Sequence, residues 1–237
     1  MELMAEVDRV RNGLRIRRGR FVMRHLRRPV RWGNLRRTTP VSPSYGFDRG
    51  VPVDRHYIDA FVKRHGGDLV GHVLEVGGSS YTRKYGHADR TTVVDYTPAN
   101  PRATLVADLN QAGSLPAATF DAALIPQTFQ YLDPQTALAN LWQSLVPGGV
   151  LLLTIPSLGR LDPDIPDLDL HRWTQAGILK ELDRAGISGE VTSYGNVLAC
   201  VCALYGLTVQ DVGAEQLDIF DPAFPLTICV RAVKPPH

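Results

Sequence analysis

Apolar residues along this chain come in continuous runs rather than in strict alternation. Residues 72–77, 91–95, 103–108, 120–126, 150–155, 189–194 and 226–233 each read as a strand. A strand that is apolar at every position is covered on both faces, which is the signature of a mostly parallel sheet. Between these runs the period changes. Tyr57, Ile58, Phe61 and Val62 recur at helical spacing, and Gly66-Gly67 stops that run. Ala137, Leu138, Leu141 and Leu145 share one face of a helix entered at Asp133 or Pro134, ending at Val146 and broken by Pro147-Gly148-Gly149. A further helix runs over 174–185 with Thr174 as its N-cap, and an apolar one over 197–205 ends at Gly206. Residues 211–221 read as helical or irregular, and the tail Lys234-Pro235-Pro236-His237 carries no structural signal. Strands alternating with helices predict an open α/β sandwich.

The first forty residues look different. Leu14, Ile16, Phe21, Val22 and Leu26 are spaced among arginines as in one or two amphipathic helices, and Pro29 ends any helix begun before it. Residues 38–50 are rich in Pro, Ser, Gly and Thr and read as a loop or linker. This divides the chain into a basic N-terminal arm and lid, 1–50, and a main domain, 51–237. The charge follows that division. Residues 1–40 hold 12 arginines and no lysine against three acids, a formal +9, while the remaining chain has 14 bases against 21 acids, −7. Arginine without aromatic interleaving is weak evidence for nucleic acid. The arm reads more naturally as a strap on an acidic body, its own or that of a second copy in a homodimer. No stretch is apolar enough to span a bilayer, and residues 1–12 lack the apolar core of a secretory signal. The expected location is the cytoplasm. Cys200, Cys202 and Cys229 sit in apolar runs, as small buried hydrophobes rather than as a disulfide framework or zinc pattern.

The chemistry gathers where the strands end. The first strand closes on Glu75-Val76-Gly77-Gly78, the second on Asp95, the third on Asp108 and the fourth on Gln127. In a parallel sheet these ends share one edge, where ligands bind. A carboxylate accepts from both hydroxyls of a ribose, which suits Asp95. An acid beside a backbone amide, Asp108 and Leu109, suits an adenine. The site therefore fits a nucleoside. A dinucleotide is disfavoured because the third glycine of its phosphate-binding turn is missing and Ser79 stands at the second. No Lys-Ser/Thr follows the glycines, which excludes a P-loop.

Taken together, Leu74-Glu75-Val76-Gly77, Val93-Val94-Asp95, Ala107-Asp108-Leu109, 120–125 and Leu145-Val146-Pro147-Gly148-Gly149 resemble class I S-adenosylmethionine-dependent methyltransferases. Further stretches, among them 45–50, 53–57 and Tyr194-Gly195-Asn196, look like a bacterial subgroup from natural-product and surface-glycan pathways. The resemblance implies a Rossmann-like three-layer sandwich whose mostly parallel seven-stranded sheet has an antiparallel last strand. It implies S-adenosyl-L-methionine as cofactor, with Glu75, Gly77 and Gly78 along its methionine part, Asp95 at the ribose, Asp108 and Leu109 at the adenine, Tyr96 as a further cofactor contact, and Gln127 facing both cofactor and acceptor. The acceptor it implies is a small molecule, a hydroxyl of a sugar or natural product. The alternatives are N- or C-methylation of a natural product or peptide, and a non-catalytic cofactor-binding scaffold.

Transfer to a hydroxyl needs a base. His171, after the fifth strand, is the first candidate, followed by His56, Tyr57 and Asp54. Arg49 and Arg55 are candidates for a cofactor or substrate anion, and Tyr194 and Asn196 for further substrate contacts. The acidic loop from Asp162 to His171 has oxygen ligands suited to a divalent cation, but its spacing matches no ligand pattern and no metal is assigned.

Overall fold

The computed structural model describes residues 33–236. The predicted arginine-rich helices before Gly33 lie outside the described residues. The chain divides into two compact units, 1–39 and 40–237. Of the first, the described part is a 3-10 turn, Gly33–Arg36, and the loop that follows it. Residues 40–50, grouped by sequence with the arm, lie in the larger unit, where Val41 N–H donates to the Tyr205 carbonyl at 2.8 Å.

The larger unit is a seven-stranded sheet in the order β3-β2-β1-β4-β5-β7-β6. Its strands are β1 Val70–Val76, β2 His87–Asp95, β3 Leu105–Val106, β4 Phe120–Pro126, β5 Leu145–Pro156, β6 Gly189–Tyr194 and β7 Thr227–Val233. β1 to β5 are mutually parallel, and β7 runs antiparallel to both β5 and β6. The continuous apolar runs have the predicted cause. Leu74, Ala123, Ile125, Leu151 and Leu153 face one layer of helices, while Val73, Ala122, Leu124 and Leu152 face the other, and all are fully buried.

On the second face lies α1, Val53–Arg64, which buries Ile58, Phe61 and Val62. Each such side chain contributes about 1.5–3 kcal/mol. The first face is covered by α3, Pro134–Ser144, and α4, Gln175–Arg184. Asp133 caps α3 by accepting from Thr136 N–H, with Pro134 at the first helical position, and Thr174 caps α4 as expected. A short α2, Ser80–Tyr85, joins β1 to β2. The apolar helix α5, Val197–Tyr205, ends at Gly206 in the left-handed conformation. Two single turns follow, α6 Val209–Val212 and α7 Ala214–Leu217.

Three elements differ from the sequence reading. The third strand keeps only two residues, Leu105 and Val106, which pair with Val94 and Asp95 of β2 at the sheet edge. The fifth strand starts before Pro147-Gly148-Gly149. Leu145 already pairs with Phe120, and the register shifts before Ala122 meets Val150, so Pro-Gly-Gly bulges out of the strand instead of separating it from the helix. The tail is not idle. Lys234 Nζ donates to the carbonyls of Trp142 and Leu145, both at 2.7 Å, and so satisfies the end of α3 with a positive charge. Replacing Lys234 by Met keeps the apolar stem and removes these bonds. A loss of about 1–2 kcal/mol is expected, seen as a thermal midpoint a few degrees lower; an unchanged midpoint would contradict the cap.

Candidate functional site

The turn after β1 is set by a carboxylate. Glu75 is 1% exposed, and its two oxygens accept from the backbone N–H groups of Tyr81 and Thr82 at 3.2 and 2.9 Å. Burial pushes this carboxyl above its ordinary range, and the two amides oppose the shift. Glu75 thus braces the start of α2, and both its oxygens are engaged there. Gly77 takes the left-handed conformation, φ 73°, and a Cβ there would meet nothing within 4 Å, so the turn leaves its concave side open.

Asp95 stands at the end of β2, beside that turn. Its Oδ1 accepts from Thr97 N–H at 3.1 Å and its Oδ2 from Asn100 Nδ2 at 2.7 Å. The same Asn100 amide nitrogen donates to the Gly77 carbonyl at 3.0 Å, and the Asn100 carbonyl accepts from Arg102 N–H. The amide hydrogens are therefore both used to tie the glycine turn to the carboxylate, while each carboxylate oxygen keeps a lone pair for a ligand. Asn100 is absent from the sequence reading. The only signal for it was its place in the turn-rich stretch between Asp95 and Ala103.

A cavity of about 260 Å³ opens at this edge. Val76, Val94, Leu109 and Leu132 give it apolar walls, Asp95 and Asp108 bring carboxylates, and Tyr96 and Tyr131 complete it with Ile165 and Leu168 of the loop after β5. Asp108 also accepts from Asn110 N–H, which fixes the loop carrying Leu109. Flat apolar walls with two carboxylates at the ends of adjacent strands suit an adenosine. The open glycine turn leaves space for a chain attached to it. The residues present therefore fit the predicted cofactor.

A second cavity, about 220 Å³, lies beyond the ends of β4 and β5. Gln127 opens it. It holds a left-handed backbone, φ 47°, which its N–H sustains by donating to the Thr154 carbonyl at 2.7 Å. A non-glycine residue kept in that region is strained, and such strain concentrates at functional sites. Tyr45, Phe47, Asp54 and Arg55 form one wall, and Gln130, Tyr131, Asp162, Asp169 and Arg172 another. Asp169 accepts from Arg172 with both oxygens, and this pairing holds its carboxyl below the usual range. Tyr131 O–H donates to Asp162 at 3.0 Å, and burial pushes the phenol up, so it stays protonated. Among the described residues, Tyr131 alone lines both cavities.

The structure separates the sequence candidates. Asp54 and Arg55 line the second cavity, and the carboxylate of Asp54, with Tyr81, outweighs the effect of burial on the Arg55 charge. His171 does not line either cavity; its ring packs on Trp173 with centroids 4.9 Å apart. His56 pairs with Asp218 at 2.7 Å, outside both. Tyr57 is a core aromatic, 4% exposed, whose hydroxyl donates to the Leu217 carbonyl. Arg49 is paired with Asp211 at 2.9 Å. Tyr194 stacks on Tyr57, and Asn196 caps α5 while donating to the carbonyls of Gln216 and Ile219, so both serve the fold. The acidic loop does not gather a metal site: among the described residues no group of three metal-ligating side chains converges. Gln130, Tyr131 and Arg172 escaped the reading, and Asp169 entered it only as a member of the acidic loop. Gln130 and Tyr131 follow the fourth strand as Gln127 does, so the strand-end argument reaches them in hindsight.

Fold and site together define a class I methyltransferase architecture. Residues 74–153 match the family model described as a methyltransferase domain. The protein is an S-adenosylmethionine-dependent methyltransferase, with S-adenosylmethionine as its cofactor. No curated protein matches the chain as a relative. Among solved structures, it is similar to a chain of the Haloferax volcanii complex of the Trm112 methyltransferase activator and a methyltransferase, at 20% identity over 77% of this chain and 91% of that one, TM-score 0.54. It is also similar to an S-adenosylmethionine-dependent methyltransferase from Mesorhizobium loti, at 17% identity over 74% and 96%, TM-score 0.54. A third is phosphoethanolamine N-methyltransferase 2 of Haemonchus contortus in complex with S-adenosylmethionine, at 15% identity over 76% and 52%, TM-score 0.51. At these identities the likeness establishes the fold.

Two measurements follow. Asn100→Ala should weaken S-adenosylhomocysteine binding roughly tenfold or more, since it removes two hydrogen bonds that set the turn and the carboxylate. The effect should shrink for an analogue without ribose hydroxyls, and an equal loss for both ligands would argue against the tie to Asp95. The Asp211 carboxyl is held down to about 2, chiefly by Arg49 and then by Thr208. A depressed carboxyl adds stability that is present above its unfolded value of about 4 and is lost as pH falls through about 2. Arg49→Ala should return the Asp211 titration, followed by NMR, toward that unfolded value and reduce the loss of stability across this window.

Proposed function

We propose that the protein transfers the methyl group of S-adenosylmethionine to a hydroxyl of a small molecule, a sugar or other natural product. The observation that carries this is the pair of cavities meeting at Tyr131, one suited to an adenosine and one polar and of small-molecule size. In this reading Asp95 accepts from the ribose hydroxyls, with Tyr96 beside it. Asp108 and the Leu109 amide meet the adenine, and Gly77 and Gly78 leave room for the methionine chain. Glu75 acts through the turn it braces. S-adenosylmethionine, when bound, supplies a sulfonium methyl that is already electrophilic. The protein's task is then to orient the acceptor oxygen and to take its proton. Gln127 stands at the cavity mouth to position the acceptor. Three carboxylates line the cavity; Asp169 is held by Arg172, and Asp54 and Asp162 take the place of His171, His56 and Tyr57 as bases for a bound hydroxyl.

The test is mass spectrometry of a panel of small hydroxyl compounds incubated with the enzyme and S-adenosylmethionine. A product heavier by one CH₂ unit is expected, and a methylated amine or carbon with every hydroxyl untouched would overturn the acceptor assignment. Asp95→Ala should abolish binding of S-adenosylhomocysteine in calorimetry while the fold persists. Unchanged affinity would remove Asp95 from the ribose.

A further inference from the structure

The loop after β5 crosses from one cavity to the other. Leu158, Gly159, Arg160 and Asp162 line the second cavity, and Ile165 and Leu168 further along line the first. Asp162 is thus the last lining residue before the crossing. Its carboxylate is held there from the end of β4. Tyr131, which lines both cavities, donates its O–H to Asp162 Oδ2 at 3.0 Å. Asp162 Oδ1 accepts from Asp164 N–H, also at 3.0 Å. The backbone is fixed as well, since Asp162 N–H donates to Asp169 Oδ2 at 2.9 Å and Asp169 is engaged by Arg172. Each carboxylate oxygen of Asp162 accepts one bond and keeps a lone pair. The side chain is half-buried, so those lone pairs open on the cavity it lines.

We propose that Asp162 is the carboxylate that takes the acceptor's proton, and that Tyr131 is the positioning residue that holds it where the two cavities meet. This rests on the hydroxyl-methylation reading above and deepens it by separating the two carboxylates that reading left equal. The step balances. The acceptor oxygen bonds to the methyl carbon as the carbon–sulfur bond breaks, and the sulfur keeps that electron pair. The hydroxyl proton passes to Asp162. A sulfonium cation, a carboxylate and a neutral alcohol become a thioether, a carboxylic acid and a methyl ether, so charge is conserved.

Position decides between Asp162 and Asp54. A methyl group passes from donor to acceptor only where the two cavities join, and the proton to be removed sits on the oxygen that receives it. The base must therefore reach that junction. Asp162 stands one hydrogen bond from the residue both cavities share. Asp54 lies on the first turn of α1 with Arg55 4.0 Å away, and neither lines the first cavity. The other charged or titratable groups around Asp162 come from three directions. Asp164, Asp169, Arg172 and Arg160 belong to its own loop, Asp54 and Arg55 face the same cavity from α1, and Tyr45 sits with its ring centre 4.1 Å from the Arg160 guanidinium. Burial pushes the Tyr131 phenol up, so it remains a donor to Asp162 and does not compete for the proton.

The test takes a hydroxyl compound that the full chain methylates in the mass-spectrometric panel and compares kcat and KM in Asp162→Asn, Tyr131→Phe, the two combined, and Asp54→Asn. Asp162→Asn should lower kcat at least about a hundredfold while S-adenosylhomocysteine affinity holds. Its remaining rate should climb about tenfold per pH unit above neutrality, as hydroxide takes over the proton. Asp54→Asn should cost at least about tenfold less than Asp162→Asn. Tyr131→Phe keeps the ring in both cavities and should lower kcat about tenfold with KM unchanged. In the combined variant it should cost nothing further, because its effect runs through Asp162. A loss under about tenfold in Asp162→Asn, a larger one in Asp54→Asn, or additive losses in the combined variant would overturn the proposal and leave hydroxyl methylation standing. In the free enzyme, the carbon NMR signal of the Tyr131 ring Cζ should move in Asp162→Asn, and an unmoved signal would deny the positioning bond. Methylation confined to amines or carbons is the separate outcome that overturns the hydroxyl reading, and the assignment of Asp162 with it.

Discussion

Burying a carboxylate among apolar strands is costly unless its oxygens find donors, and Glu75 finds both of its donors in the backbone of α2. That requirement dictates how the chain leaves β1. The strand must turn at once, so that Tyr81 and Thr82 come back over the acid they satisfy. The turn needs a left-handed residue, which Gly77 supplies. The helix need not be long, because it is held at its start rather than by its length. From this follows the open crook at the sheet edge. Asn100 reaches it from the other side and joins the Gly77 carbonyl to Asp95. Two amide groups and one amide side chain thus hold the turn at the end of β1, with few residues spent.

This also accounts for Ser79. In a pyrophosphate-binding turn, a glycine there lets the backbone approach the phosphates. Here Ser79 directly precedes a six-residue helix that is fixed through Glu75. The departure from the glycine pattern is consistent with a ligand that brings no phosphate to the helix.

Much of the fold was legible because it follows from burial. Strands covered on both faces must be apolar throughout, and Val73 and Leu74 or Ala122 and Ala123 show that pairing of opposite faces directly. What escaped depended on partners distant in sequence. The shortness of β3 shows only in its pairing with the end of β2, and the bulge at Pro147-Gly148-Gly149 in the register of Phe120 against Leu145. Lys234 looked unstructured because its acceptors lie on another element. The site divides in the same way. Asp95, Asp108 and Gln127 line the two cavities because strand ends converge by topology. His171, Tyr57 and Asn196 were chosen by residue type, and residue type does not reveal that a phenol is spent on the Leu217 carbonyl or an amide on a helix start.

The reversed direction of β7 has a consequence for how such an enzyme could change its taste. Parallel strands deliver their final residues to the working edge, but an antiparallel one delivers its first. Thr227 and the segment before it therefore reach the second cavity from a part of the chain that takes no share in the first. The two linings interleave after β4 and in the loop after β5, but the approach to β7 belongs to the second cavity alone. Replacements just ahead of β7 would reshape the second cavity and leave the lining of the first, at the ends of β1 to β4 and at Ile165 and Leu168, as it is. A library confined to that short segment would explore new acceptors without disturbing the machinery that holds the donor.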